Sequence, residues 1–305
     1  MIPLIKLRED LRFSKELLEM IEVLKSATAS QFRSLQNKRK GFEQYKLRLE
    51  EFLATIKTQK VIHPFLIERK NLPKAVVMVT SDEGFLGSLN ALVLNAGMEQ
   101  AAAGDELIVL GERGSRYLAE TQREAFTFLP GIGDEITYER AIAVRDLLIS
   151  KFLSKKVGSV LIAYPQFLSL TVQRIEVARL LPSGDLLAPK EGGALNRPGR
   201  RGFEILLEPS RGRVVDYLVR AALMQKLYDV FLESKLSECA ARIIHLEGSR
   251  EEIGSVNKRL LYVYFKQLHE KSDKNIREIF ASRLRWRESK REGFLKELGE
   301  KELIS

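Results

Sequence analysis

Cysteine occurs once in the 305 residues, at Cys239, so no disulfide can form within the chain and a reducing compartment is the simpler setting. Long apolar runs are also missing. Stretches such as AVVMV at 75–79 fall far short of the roughly 18 residues a membrane-spanning helix needs. The opening MIPLIKLREDLRF mixes Arg8 with Glu9 and Asp10 where a secretory signal would keep an unbroken apolar core, which points to a chain facing the cytoplasm. Histidine is scarce: His63, His245 and His269 each stand alone, without a Cys or carboxylate at metal-ligand spacing, and read as surface or interface residues. No G-x-S-x-G, H-E-x-x-H, C-x-x-C or G-x-x-x-x-G-K-[ST] pattern occurs, so the usual hydrolase, zinc, redox and nucleotide signatures are lacking. Cys239 follows Ser237 and Glu238 with no base or positive cluster evident to lower its pKa, and reads as a packing thiol.

What is present is charge and helix. The 50 Lys and Arg against 41 Asp and Glu leave a formal charge of +9, a surplus that suits nucleic acid, acidic lipid headgroups or an acidic protein without choosing among them. Proline is absent between Pro3 and Pro64 and again after Pro209, and Gly41 is the sole glycine in the first of these stretches, so both ends can form long helices. In the first, Leu7, Ile21, Leu35, Phe42, Leu49 and Ile56 share one seven-residue register, with Leu4, Leu11, Leu18, Phe32 and Leu53 on the companion register. Ser14 and Thr28 interrupt one register, and Lys25, Arg39 and Lys46 the other, which suggests that part of the stripe faces something other than one constant neighbour. A helix from about 5 to 58 would be ~80 Å long and one from about 213 to 285 ~105 Å. Either the two pack together, or they project and are covered by other subunits.

The middle alternates short β-rich runs with helix-compatible ones: KAVVMVTS, then LNALVLNAGMEQAAAG; DELIVLG, then RGSRYLAETQ; YERAIAVRDLLISKFLSK, then GSVLIAYPQF and SLTVQRIEVARLLP. This spacing predicts a small parallel or mixed α/β sheet, followed by a loop in SGDLLAPKEGGALNRPGRRG. The domain boundaries that follow are an N-terminal helix over 1–62, a central α/β domain over 70–208 and a C-terminal helix with a charged extension over 209–305.

Two segments stand out. In VTSDEGFLGSLNALVLN, Ser81 and Asp82 follow a strand where their oxygens can cap backbone N–H groups, while Gly84 and Gly87 permit tight turns before a helix. This is either a phosphate cradle or a structural elbow, and the absence of a third glycine and a ribose-binding acid favours the elbow. In SKLSECAARIIHLEGSREEI, Ala240, Ala241 and Ile244 offer a close-packing face, and Glu238 and Arg242, four apart, can pair along the helix surface. Basic clusters at Lys38 to Lys40, Lys258 and Arg259, and Arg283 to Lys290 lack interleaved aromatics and read as solvated helix faces.

The order of long helix, α/β domain and long helix, with these motifs, resembles the gamma subunit of rotary F-type ATP synthases. Thr80, Ser81, Asp82, Gly84, Gly87, Leu89 and Asn90 match that family's T-S-D-x-G-L-C-G-x-L-N pattern, with Phe85 and Leu86 in place of Leu and Cys. Ser237, Glu238, Ala240, Ala241 and Arg242 match S-E-x-A-A-R, and Tyr264, Glu278 and Ile279 fall in a similar segment farther on. Ile21, Lys25, Ala29, Ser30 and Arg33 carry the N-terminal likeness, and the whole spans about residues 1–285. Leu268 and His269 replace a family Arg-Gln pair, Asp273 and Asn275 a Thr and a Glu, and Ala281, Ser282 and Arg283 a Gly-Gly-Ala, as in a divergent member.

The resemblance implies an α/β fold whose terminal helices form an antiparallel coiled coil beside a central Rossmann-like domain. It implies a non-catalytic central-stalk rotor, peripheral on the cytoplasmic face of the membrane, coupling H⁺ or Na⁺ flow to ATP synthesis or hydrolysis. The implied partners are the alpha and beta subunits of the hexamer, epsilon and the membrane ring of c subunits, with no direct nucleotide, cofactor, metal or catalytic residue. The structural and coupling candidates are Ser81, Asp82, Gly84, Gly87, Asn90, Ser237, Glu238, Arg242, Tyr264, Leu268, His269 and Glu278. A competing reading makes the chain a non-rotary coiled-coil scaffold or nucleic-acid binder of the same fold, marked by steep salt dependence of binding.

Overall fold

A computed structural model describes residues 3–57, 64–67, 69–121, 126–133, 135–183, 208 and 210–302. The elements in chain order are α1 (Leu4–Lys57), β1 (Lys74–Val79), α2 (Leu89–Gln100), β2 (Glu106–Leu110), α3 (Glu112–Glu120), β3 (Phe126–Leu129), α4 (Tyr138–Leu153), β4 (Ser159–Phe167), β5 (Gln173–Leu181) and α5 (Arg211–Glu302). Contacts divide the chain into two units, Leu24–Glu247 and the pairing of Met1–Val23 with Gly248–Ser305. His63 and most of the Gly-, Pro- and Arg-rich stretch at 183–202 lie outside the described residues.

The larger unit is built on a five-stranded sheet in the order β3-β2-β1-β4-β5, in which all neighbours run parallel except β4 and β5. A strand turns successive side chains to opposite faces, so the unbroken apolar run of β1 needs cover on both. Val76 and Met78 of β1, Leu107 and Val109 of β2 and Ala163 of β4 pack against Val93 and Leu94 of α2 and Leu118 of α3. Ala75, Val77 and Val79 point the other way, with Ile108, Leu110 and Ile162, onto Ala141, Val144 and Leu148 of α4, Phe32 and Leu35 of α1, and the stretch of α5 from Val215 to Ala240. The long helices are therefore part of this unit's core.

Within the larger unit α1 and α5 run antiparallel. Lys25 meets Glu247, Gln31 meets Cys239, Arg39 meets Glu233 and Phe42 meets Tyr228, so each step forward along α1 is matched by a step back along α5. Three of the polar interruptions of the seam make their contacts here. Lys25 and Arg39 reach across to Glu247 and Glu233 at 2.6 and 2.8 Å, and the buried Thr28 hydroxyl donates to the Leu24 carbonyl at 2.8 Å. At Lys25 and Arg39 the breaks carry ion pairs to α5, while Phe32 of the same stripe packs on Phe167 of β4, so the stripe meets more than one neighbour.

In the smaller unit, Leu7, Ser14 and Ile21 of the same register are buried and Arg8 donates to the Tyr264 hydroxyl at 3.4 Å, again joining α1 to α5. Helix α5 continues to Glu302, beyond the expected end near 285, because the charged segment contains no proline and its alternating charges are compatible with a solvated helix. Among the described residues, no helix is long and apolar enough to cross a membrane.

Candidate functional site

The strand order reverses between β1 and β4, and the turn after β1 sits at that switch point, where open α/β sheets commonly hold ligands. Thr80, Ser81 and Asp82 of this turn serve the chain itself. Asp82 Oδ1 accepts from the Glu112 N–H at 3.1 Å, the Ser81 carbonyl from the Arg113 N–H at 3.0 Å, and Thr80 Oγ1 from the Gly114 N–H at 3.2 Å. These are the first-turn donors of α3, the groups a bound anion would use. The second oxygen of Asp82 accepts from the Gly133 N–H at 3.3 Å, so one carboxylate joins the turns after β1, β2 and β3.

Close backbone approach makes this possible. At Gly131 an added Cβ would lie 2.2 Å from Asp82 Oδ1, and at Gly111, where φ is +102°, it would lie 2.3 Å from the Thr80 carbonyl oxygen. Asn90, in the first turn of α2, closes the elbow from the other side: Ser81 N–H donates to Asn90 Oδ1 at 3.1 Å and Asn90 Nδ2 to Ser81 Oγ at 2.8 Å. Gly87 takes φ +58°, as a tight turn requires, and Phe85 takes φ +63° with its ring exposed near His245.

The two distinctive sequence segments meet. Arg242 of α5 donates from Nε to the Gly84 carbonyl at 3.3 Å and pairs with Glu83 at 2.8 Å. One turn earlier, Ser237 donates to the Pro165 carbonyl of β4 at 3.1 Å. Glu233 accepts from the Phe167 N–H at 3.1 Å with one oxygen and binds Arg39 of α1 with the other. The segment 233–242 thus ties α5 at once to the elbow, the central sheet and α1.

The surface pairing expected between Glu238 and Arg242 is corrected by this geometry. Both side chains are buried; Glu238 pairs instead with Lys235, three residues back, at 2.8 Å, while Arg242 turns to the elbow. Burial pushes the Glu238 carboxyl above its ordinary range, with Lys235 and Arg242 pulling the other way. Burial, reinforced by the neighbouring Glu238 charge, pushes the Cys239 thiol up to about 11, in keeping with a packing role. Ala240 is buried as expected, but Ile244 is exposed and Ile243 takes the packing position.

Ser81, Asp82, Gly84, Asn90, Ser237, Glu238 and Arg242 are therefore gathered into one junction, with Gly87 in its turn. Tyr264, Leu268, His269 and Glu278 belong to the other unit, where the last three are exposed. Glu233 and Lys235 escaped notice in the sequence, whereas Lys25 and Arg39 were visible there as interruptions of the α1 seam and only their partners on α5 were not. Among the described residues no group of three or more His, Cys, Asp or Glu is placed to hold a metal.

A family model described as ATP synthase matches residues 4–282, nearly the whole of this arrangement. The chain belongs to the ATP synthase gamma family. It is similar to the ATP synthase gamma chain of Chlorobaculum tepidum, at 25% identity over 287 residues, covering 90% of this chain and 96% of that one. The gamma chain of Nitrosomonas europaea is similar at 23% over 284 residues with the same coverage. The rotor of the Euglena gracilis mitochondrial ATP synthase shares the fold with a TM-score of 0.63 at 15% identity, over 88% of this chain and 98% of that one. A central-stalk chain of the Tetrahymena thermophila mitochondrial ATP synthase gives 0.56 at 16%, over 75% and 99%. The junction joins two of the motifs that carry the likeness, the TSDEGFLGSLN elbow and the SECAAR stretch of α5.

Proposed function

We propose that this chain is the rotor of an F-type ATP synthase, with residues 1–62 and 209–305 as its shaft and 70–208 as its α/β body. The shaft turns within a hexamer of alpha and beta subunits, and the body meets epsilon and the ring of c subunits on the cytoplasmic face of the membrane. The observation that carries this reading is the fastening of the antiparallel helices to the sheet by the segment 233–242. A rotor must pass force from body to shaft without slipping, and the junction supplies directional polar contacts, buried to half-exposed, at several points of α5 between Glu233 and Arg242 rather than one apolar seam. The chain's part is mechanical: it moves no proton and breaks no bond, and its asymmetry presents different faces to successive catalytic subunits as it turns. The candidate residues at the junction act as force-bearing contacts, and Tyr264, Leu268, His269 and Glu278 as positions of the shaft.

Co-expression with the alpha and beta subunits of the same genome tests the assignment. It should yield one stable complex holding a single copy of this chain; recovery of free monomer and no complex would refute it. Within such a complex, deletion of 260–305 should reduce coupling or assembly while the α/β body stays folded by circular dichroism, and full coupling after the deletion would contradict the shaft role.

A further inference from the structure

Between α1, α4 and α5 of the larger unit lies a cavity of about 760 Å³, a size ordinary for a small-molecule site. Its aromatic wall is continuous. Tyr228 of α5 stacks on Tyr138 of α4 with ring centroids 4.8 Å apart and meets Phe42 of α1 at the same separation, while Tyr217 lines the cavity with its ring 72% exposed. Lys38, Arg145 and Arg220 line it as well. Arg145 is held by Asp146 at 2.9 Å and Arg220 by Asp216 at 2.8 Å, so three cations against two carboxylates leave one positive charge, and Lys38 is the cation without an acidic partner among the described residues. Gln225, only 7% exposed, also lines the cavity, and its amide makes no hydrogen bond among the described residues. A buried amide left unpaired costs stability, and a ligand with a polar edge would satisfy it.

We propose that this cavity binds a small aromatic acid carrying a single negative charge, with its ring against the tyrosines, its carboxylate on Lys38 and a polar ring substituent on the Gln225 amide. Aromatic rings favour offset or edge contact with other rings, and the exposed rings of Tyr138 and Tyr217 are free to give it. One net positive charge balances a monoanion. A nucleoside polyphosphate would instead carry several negative charges past the carboxylates of Asp146 and Asp216. A partner's flat surface laid over the opening fits less well, because Gln225 would stay buried and unpaired beneath it. A ligand seated there touches all three helices, so it stiffens the fastening of α1 and α5 to α4 without entering any reaction. The inference goes beyond the rotor reading and does not rest on it.

Saturation-transfer magnetic resonance on the full-length chain, with 2-naphthoate as the probe, should show saturable binding that the neutral alcohol and the ammonium of the same ring system do not match. Lys38→Gln should weaken the acid about tenfold, as loss of one charge-assisted hydrogen bond does, and leave the alcohol unchanged. Tyr217→Ala should weaken acid and alcohol alike, by about fivefold. A 6-hydroxy derivative of the acid should bind more tightly than its parent, and Gln225→Leu should erase that gain while sparing the parent acid. Equal affinity for acid, alcohol and ammonium, indifference to Lys38→Gln, or a hydroxyl gain that survives Gln225→Leu overturns the inference. If Gln225→Leu fails to fold, the variants at Lys38 and Tyr217, both exposed, still decide it. The same titration on the complex with alpha, beta and epsilon subunits separates a ligand site from a covered interface. Binding retained there supports the inference, and binding lost there overturns it in favour of a partner's side chain as the occupant. If no complex assembles, the rotor reading falls and the titration of the free chain alone decides this one.

Discussion

Replacing Lys235 with methionine tests whether the junction depends on charge. The Lys235 and Glu238 side chains are only 4% and 5% exposed and meet at 2.8 Å, so the substitution leaves a buried carboxylate without its nearest cation. Breaking a buried pair in this way costs about 3–5 kcal/mol, a hundredfold or more in the unfolding equilibrium and a large share of the 5–15 kcal/mol that holds a typical domain. The solvent-exposed Arg12–Glu16 pair, by contrast, is screened by water and salt, and its loss should hardly register. The double variant Lys235→Met, Glu238→Leu replaces both charges with apolar groups of similar volume and should recover most of the loss, or exceed the parent. The deficit of the single variant also depends on pH. Burial already raises the Glu238 carboxyl, and removal of Lys235 raises it further, so the folded variant holds the proton more tightly than the unfolded chain does. Its penalty is then absent below the unfolded glutamate value of about 4.3 and grows as pH climbs through the raised folded value. Urea unfolding followed by circular dichroism should show a small deficit relative to the parent at pH 4 and a large one at pH 8. A deficit that does not change with pH, or a double variant as damaged as the single one, would refute the reasoning.

Other expectations follow from the same contacts. Gly131→Ala should drive Asp82 off the Glu112 and Gly133 N–H groups, lowering stability by about 2 kcal/mol or more in thermal unfolding and speeding hydrogen exchange at those two amides; unchanged exchange would show that the elbow does not hang on this carboxylate. The Ser14 hydroxyl is buried and makes no hydrogen bond, so Ser14→Ala should be neutral or stabilising by up to about 1 kcal/mol, and a loss larger than that would mean the hydroxyl has a partner. With its thiol held near 11 and buried, Cys239 should be alkylated by iodoacetamide at pH 8 only as fast as the chain opens, and alkylation at the rate of a free thiol would contradict the packing.

The long helices were legible because proline is absent from the long stretches at both ends, and the alternation of the middle segment identified four of the five strands. β3 escaped because FTFL is only four residues long and gains its place from pairing with β2 rather than from any pattern of its own. α5 runs past the expected end near 285 because the charged segment holds no proline, and the helix passes through Gly293 and Gly299 as it does through Gly248 and Gly254. At the junction the residue types were visible and their partners were not. Glu238 and Arg242 satisfy the rule for pairing along an exposed helix, but burial brings in Lys235 and Glu83, and sequence spacing on one helix carries no information about what the fold lays against it.

The Asp82 carboxylate gives the body a consequence of its own. A pocket that borrows its anion from solution empties and fills with supply, and its surroundings loosen and tighten accordingly. Here the acid is tethered three residues beyond the strand, so its local concentration never falls and free phosphate must displace a resident that cannot diffuse away. A machine part working beside abundant ATP and phosphate gains a stiffness indifferent to either, and making it responsive would begin with removal of that one side chain.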